Sequence, residues 1–145
     1  MRTPYSYSVL RYVHDPVTQE FINIGVAVYA PEVGYLRAIC TKHYGRISRM
    51  FARIDGARFR QLTSYIQKGI SAIGENLPQS LPFETGMTID AMLAKVLPPD
   101  DSTMQFSVPG VGLSRDLDAT TEQLFARHVE QYTAEAELHK RDDKE

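Results

Sequence analysis

Alternating apolar and polar positions open the chain and predict strands. In Tyr5 to Val13, Tyr5, Tyr7, Val9 and Val13 share one parity while Leu10 and Tyr12 take the other, and the aromatic and β-branched content favours a strand. The run Phe21 to Ala30 (FINIGVAVYA) places Ile22, Ile24, Val26, Val28 and Ala30 on one face, with Phe21, Ala27 and Tyr29 making the other face largely apolar. A strand that is apolar on both sides reads as a central strand covered on both faces. His14-Asp15-Pro16 supplies turn chemistry between the two strands. A third strand, Tyr35 to Thr41, follows Pro31-Glu32-Val33-Gly34, where Pro31 suits the second turn position and Gly34 the residue that must adopt a positive φ. The three strands predict an antiparallel meander.

The period then changes from two to about 3.6. Ile47, Met50, Phe51 and Ile54 occupy one side of a predicted helix, and Arg46, Arg49 and Arg53 the other. Asp55-Gly56 breaks it. Helical spacing resumes through Phe59, Leu62, Ile66, Ile70 and Ile73, with Gly74 as the expected stop. Prolines and glycines dominate from Glu75 to Pro99, apart from a short helix over Ile89 to Leu97. Met104 to Val108 predicts a short edge strand, ended by Pro109-Gly110 and Gly112. Asp118 is the expected N-cap of a long helix with Leu124, Phe125, Val129, Tyr132 and Ala136 as its buried stripe. The fold class is therefore α+β: an antiparallel sheet led by a three-stranded meander, packed against two consecutive helices and a long C-terminal helix. One domain is expected over residues 1–138, with 139–145 a charged, disordered tail free of apolar residues.

Composition narrows the class. At 145 residues and 43% apolar content the chain can bury one proper core. No run approaches the roughly 20 apolar residues needed to cross a bilayer, and Ser, Arg and Tyr interrupt the first residues before a signal-type apolar region forms. Cys40 is the only cysteine, which excludes an internal disulfide and leaves any zinc site to histidines and carboxylates. A cytoplasmic protein is expected.

The formal net charge of −2 excludes a globally basic nucleic-acid binder, yet the charge is segregated. Arg37 to Lys68 carries eight basic residues against one acid, whereas Arg115 to Glu145 carries nine acids against five bases. The basic region either faces an anionic partner or complements the acidic end within the fold. Arg46, Arg49 and Arg53, with Lys42 and His43, are candidate ligands for phosphates or a carboxylate-rich protein surface, and Tyr44 and His43 offer stacking groups. Asn23 and Gly25 are unusual in a buried strand. Either Asn23 binds a ligand that Gly25 lets approach, or Asn23 satisfies a bulge and Gly25 makes room for a helix packed on the sheet. Cys40 and His43 have thiolate-and-base spacing, but nothing in the sequence completes such a site. Asp100 and Asp101 follow two prolines and read as a solvated turn, and Gly110-Val111-Gly112 lacks the remaining residues of a phosphate loop. No cofactor and no metal is expected.

Tyr7, Ser8, Arg11 and Tyr12, followed by Glu20, Phe21, Asn23, Gly25 and Val26, form a Y-x-x-x-R-Y strand and an E-F-x-N-x-G-V strand. This run resembles the bacterial family of domain of unknown function 3037, closely over the first 40 residues and more loosely in the final strand and helix. The resemblance implies no defined activity. Members often lie beside genes for HipA-like kinases, which points to a partner by neighbourhood. The expected function is a non-enzymatic accessory or regulatory protein acting by protein–protein interaction, with a HipA-like kinase as candidate partner. The alternative is a nucleic-acid-binding module or nuclease-complex subunit using the basic helices 42–68. An enzyme using Cys40 or the carboxylates is a third reading.

Overall fold

A computed structural model of the chain describes residues 2–15, 17–18, 20–42, 56–77, 88–97 and 104–130. The meander is present: β1 (Thr3–Asp15) pairs antiparallel with β2 (Glu20–Ala30), and β2 pairs antiparallel with β3 (Tyr35–Cys40). A short 3-10 turn, Pro31–Val33, joins the last two, and Gly34 takes φ 64°, the left-handed conformation expected of it.

The opposite edge of β1 carries two short antiparallel strands in succession. These are β4 (Met104–Phe106) against Leu10 to Tyr12 and β5 (Gly110–Ser114) against Thr3 to Tyr7. Between them Ser107 stays in register: its N–H donates to the Val9 carbonyl at 2.8 Å and its Oγ accepts from the Val9 N–H at 2.9 Å. The buried Ser8 hydroxyl donates to the Ser107 carbonyl at 2.7 Å. The edge strand ends before Pro109-Gly110 as expected, but a further strand, β5, which the sequence pattern does not predict, begins at Gly110 itself. Two glycines depress strand propensity, but the rings of Tyr7 and Tyr5, their cross-strand partners, lie over Gly110 and Gly112 and restore the missing contact area.

Strand β2 is buried without interruption from Ile24 to Ala30, as a strand covered on both sides must be. Its faces differ from a strict alternation. Leu10 faces Gly25 and Arg11 faces Asn23, so Ile24 is an extra residue, a β-bulge that reverses the parity beyond it. Ile24 therefore joins Ala27 and Tyr29 in one core cluster, with Ile22 packed against it. Val26, Val28 and Ala30 turn to the opposite face with Asn23. Gly25 makes room for strand β3 rather than for a helix: a Cβ there would lie 2.9 Å from the Ile39 carbonyl oxygen and 3.1 Å from Cys40 Sγ.

Helix α1 (Gly56–Asn76) covers the first face through Phe59, Thr63, Ile66 and Ile70, which meet Leu10, Ile24, Leu36, Ala38 and Cys40. It runs past Gly74, which serves close packing on β3 instead of stopping the helix; a Cβ there would collide with the Leu36 carbonyl. Helix α2 (Ile89–Ala94), capped by the Thr88 hydroxyl accepting from the Ala91 N–H at 3.3 Å, adds Ile89, Met92 and Leu93 to the same core.

The second face of the sheet lies under α3 (Leu117–Phe125) and a turn of π-helix, Ala126–Glu130. The cap of α3 is Asp116, whose carboxylate accepts from the Ala119 N–H at 3.2 Å, and not Asp118. Asp118 lies in the first turn and reaches β3, accepting from the Tyr35 hydroxyl at 2.8 Å and from Arg37 Nη1 at 3.1 Å. The Arg37 ion pair is exposed and contributes little to stability. The expected Arg46, Arg49 and Arg53 helix, Tyr132 and Ala136, and the 139–145 tail lie outside the described residues. No helix among the described residues is long and apolar enough to cross a membrane.

Candidate functional site

Polar side chains gather on the sheet face beneath the π turn. Tyr7 and Arg11 stand on β1 at alternate positions facing this side, and the bulge at Ile24 brings Phe21 and Asn23 of β2 to the same side. The Arg11 guanidinium carbon lies 4.3 Å from the centre of the Phe21 ring, within cation–π range. Directly across from Arg11, Asn23 Nδ2 donates to the His128 carbonyl at 3.1 Å, tying β2 to the π turn. The His128 ring packs against Tyr7 with centroids 5.7 Å apart. Burial, with the Arg127 charge beside it, pushes the His128 imidazole below its usual pKa.

Two polar atoms in this cluster are buried without a hydrogen-bond partner, Arg11 Nε and Asn23 Oδ1. A buried polar atom left unpaired costs about 1–3 kcal/mol, so two on facing residues mark a place where the fold tolerates a penalty. The surrounding backbone is irregular on both sides, with a β-bulge below and a π turn above, devices enriched at functional sites.

The residues expected from the sequence are scattered by comparison. Asn23 lies in this cluster. Lys42 is exposed two residues beyond β3, and His43, Arg46, Arg49 and Arg53 lie outside the described residues. Cys40 is enclosed between β3 and α1 at 6% exposure, and burial pushes its thiol up to about 12. A thiol with that pKa is neither a nucleophile nor a ready metal ligand at neutral pH. Thiol labelling of the native protein by an aromatic disulfide reagent at pH 8 should therefore be slow and should accelerate only as denaturant unfolds the chain; rapid native labelling would contradict this burial. Among the described residues no three of His, Cys, Asp and Glu come together as a metal site would require. Asp100 and Asp101 lie outside the described residues.

The family model described as protein of unknown function (DUF3037) matches residues 7–129. The chain belongs to the DUF3037 family. The DUF3037 match starts at Tyr7 and ends one residue beyond His128, so both the strand half and the helical half of the polar cluster fall inside it. No curated protein and no solved structure matches the chain.

Arg11, Phe21 and Tyr7 were detectable in the sequence only as members of the Y-x-x-x-R-Y and E-F-x-N-x-G-V strands. His128, 105 residues from Asn23, carries no local signal; only the packing of the C-terminal helix on the sheet brings the two together.

Proposed function

We propose that this DUF3037 chain is a non-enzymatic accessory or regulatory protein that acts in the cytoplasm by binding a protein partner, with a HipA-like kinase as the first candidate. The observation that carries this reading is an apolar groove on the α1 side of the sheet, lined by no residue of α1 or α2. It has a volume of about 430 Å³ and is lined by Pro4, Tyr5, Ser6, Pro31, Glu32, Val111, Gly112 and Leu113. Val111 is 83% and Leu113 61% exposed, although both stand on a regular strand. Two neighbouring apolar side chains held in water by a strand suit a surface that a partner dries. Glu32 at the rim offers a charge that fixes orientation.

Co-expression with a HipA-like kinase from the same host, followed by affinity capture, tests this reading. Wild type should retain the kinase, and the double variant Val111→Lys, Leu113→Lys should lose at least tenfold in affinity. Because both side chains are exposed, stability should move by less than about 1 kcal/mol. Undiminished capture by the double variant would reject the groove, and no capture by wild type would reject the kinase.

The nucleic-acid reading draws on a different observation: α1 presents Arg58, Arg60 and Lys68 on its exposed side. If the chain binds single-stranded nucleic acid through this helix, affinity should fall linearly in log salt, and charge reversal at Arg58 and Lys68 should flatten the slope.

A further inference from the structure

On the face opposite the apolar groove, Arg11 and Asn23 are cross-strand partners. Their unpaired atoms differ in kind: Arg11 Nε–H is a donor and Asn23 Oδ1 an acceptor. The assignment of the Asn23 amide is not arbitrary, because its other atom faces the His128 carbonyl and must therefore be the nitrogen. Among the described residues no carboxylate pairs with Arg11, whose guanidinium carbon instead lies over the Phe21 ring, 4.3 Å from its centre. A half-buried guanidinium without a counter-charge is a poor end state for a fold and a good receptor for an anion. Arg11 as a whole is only partly enclosed and Phe21 is 43% exposed, so the cluster borders solution at Phe21, with the two unpaired atoms lying beneath the surface.

A ligand satisfying both atoms must present a negatively charged acceptor to Arg11 and a donor to Asn23. Side chains on facing positions of an antiparallel pair start about 5 Å apart, which sets the spacing of the two groups. A bridging water offers an acceptor and a donor but leaves the guanidinium charge unanswered. A carboxylate with an N–H on the adjoining carbon answers both. We propose that Arg11 and Asn23 form a binding site for a carboxylate flanked by an N–H donor, the chemistry of a peptide's C-terminal residue or of a free N-acylated amino acid. Phe21 holds the guanidinium by its cation–π contact, and the Asn23 bond to His128 fixes the amide so that Oδ1 is left as the free acceptor. This site is independent of the groove on the other face.

The test is a titration of the full-length protein with N-acetylglycine, followed by the ¹⁵N–¹H signals of Arg11 Nε and the Asn23 amide at constant ionic strength. Both signals should move saturably, with a dissociation constant on the order of 1 mM for so small a probe. N-acetylglycinamide, which lacks the carboxylate, and acetate, which lacks the N–H, should each bind at least tenfold more weakly. Arg11→Lys keeps the charge but loses Nε and the planar fork, and should lose at least tenfold in affinity. Arg11→Met should abolish the response while leaving the melting temperature unchanged or raised, because an uncompensated charge has been removed. Asn23→Ser provides a second variant that keeps Arg11 in place and should weaken N-acetylglycine toward the level of acetate. A peptide with a free C-terminus that binds at least as tightly as N-acetylglycine identifies a chain end as the ligand; binding of N-acetylglycine alone identifies a free small acid. The proposal is overturned if neither signal moves by about 50 mM probe, if chloride or acetate moves them equally, or if Arg11→Met still binds.

Discussion

Val26→Asp is expected to yield no folded protein. Val26 is 1% exposed, on a strand with α1 on one side and the C-terminal helical segment on the other. Its cross-strand neighbours are Val9 and Ile39, neither of which offers a hydrogen bond from its side chain. A carboxylate placed there loses its hydration without a partner, a penalty of several kcal/mol even when the group protonates to escape it. That is comparable to the roughly 5–15 kcal/mol of a whole domain. Val26→Ala separates charge from volume: it removes about 2–3 kcal/mol of burial and packing and should still fold. Circular dichroism melts of the two variants check this. A soluble Val26→Asp protein with a cooperative transition would show that β2 is not enclosed.

The second large effect reverses a usual rule. Replacing glycine by alanine inside a helix normally stabilises by up to about 1 kcal/mol, since alanine restricts the unfolded chain and favours the helix. At Gly74 the sign should invert. The new methyl would fall on the Leu36 carbonyl, a backbone atom already committed to β3, and Leu36 Cβ is 3.6 Å away. Helix and strand must separate locally, and overpacking of this kind costs about 1–3 kcal/mol. Gly69, on the same helix, is the internal control: a Cβ there would meet only side-chain carbons, Val96 Cγ1 at 2.9 Å and Cγ2 at 3.2 Å, in the turn after α2, which gives more readily than the carbonyl of a sheet strand. Urea denaturation should find Gly74→Ala less stable than Gly69→Ala by at least about 1 kcal/mol. Equal stabilities would mean that α1 does not approach β3 so closely.

The polar cluster shows where sequence reasoning reaches and where it ends. Asn23 stands out because asparagine in an apolar strand demands an explanation, and that demand is local. Arg11 gives no such signal, since an arginine on a strand is ordinary until its surroundings are known. Its significance arises from what the fold omits: no described carboxylate reaches it. His128 enters through a backbone carbonyl in a π turn, and a main-chain group has no sequence identity at all.

Period and turn chemistry alone determined the meander, the long helix with Phe59, Ile66 and Ile70 on its buried stripe, and the burial of β2 on both sides. These follow from side-chain periods of 2 and 3.6, which each segment carries within itself. The tertiary structure alone decided the rest. Which residues of β2 share a face depended on one bulge, because a single extra residue reverses every later position. Whether Gly110 to Ser114 forms a strand depended on tyrosines about a hundred residues earlier. The role of Gly74 depended on the backbone of β3, and that of Asn23 on the carbonyl of His128. In each case the deciding partner is distant along the chain, so the energy that settles the conformation does not exist until the sheet and its helices have packed.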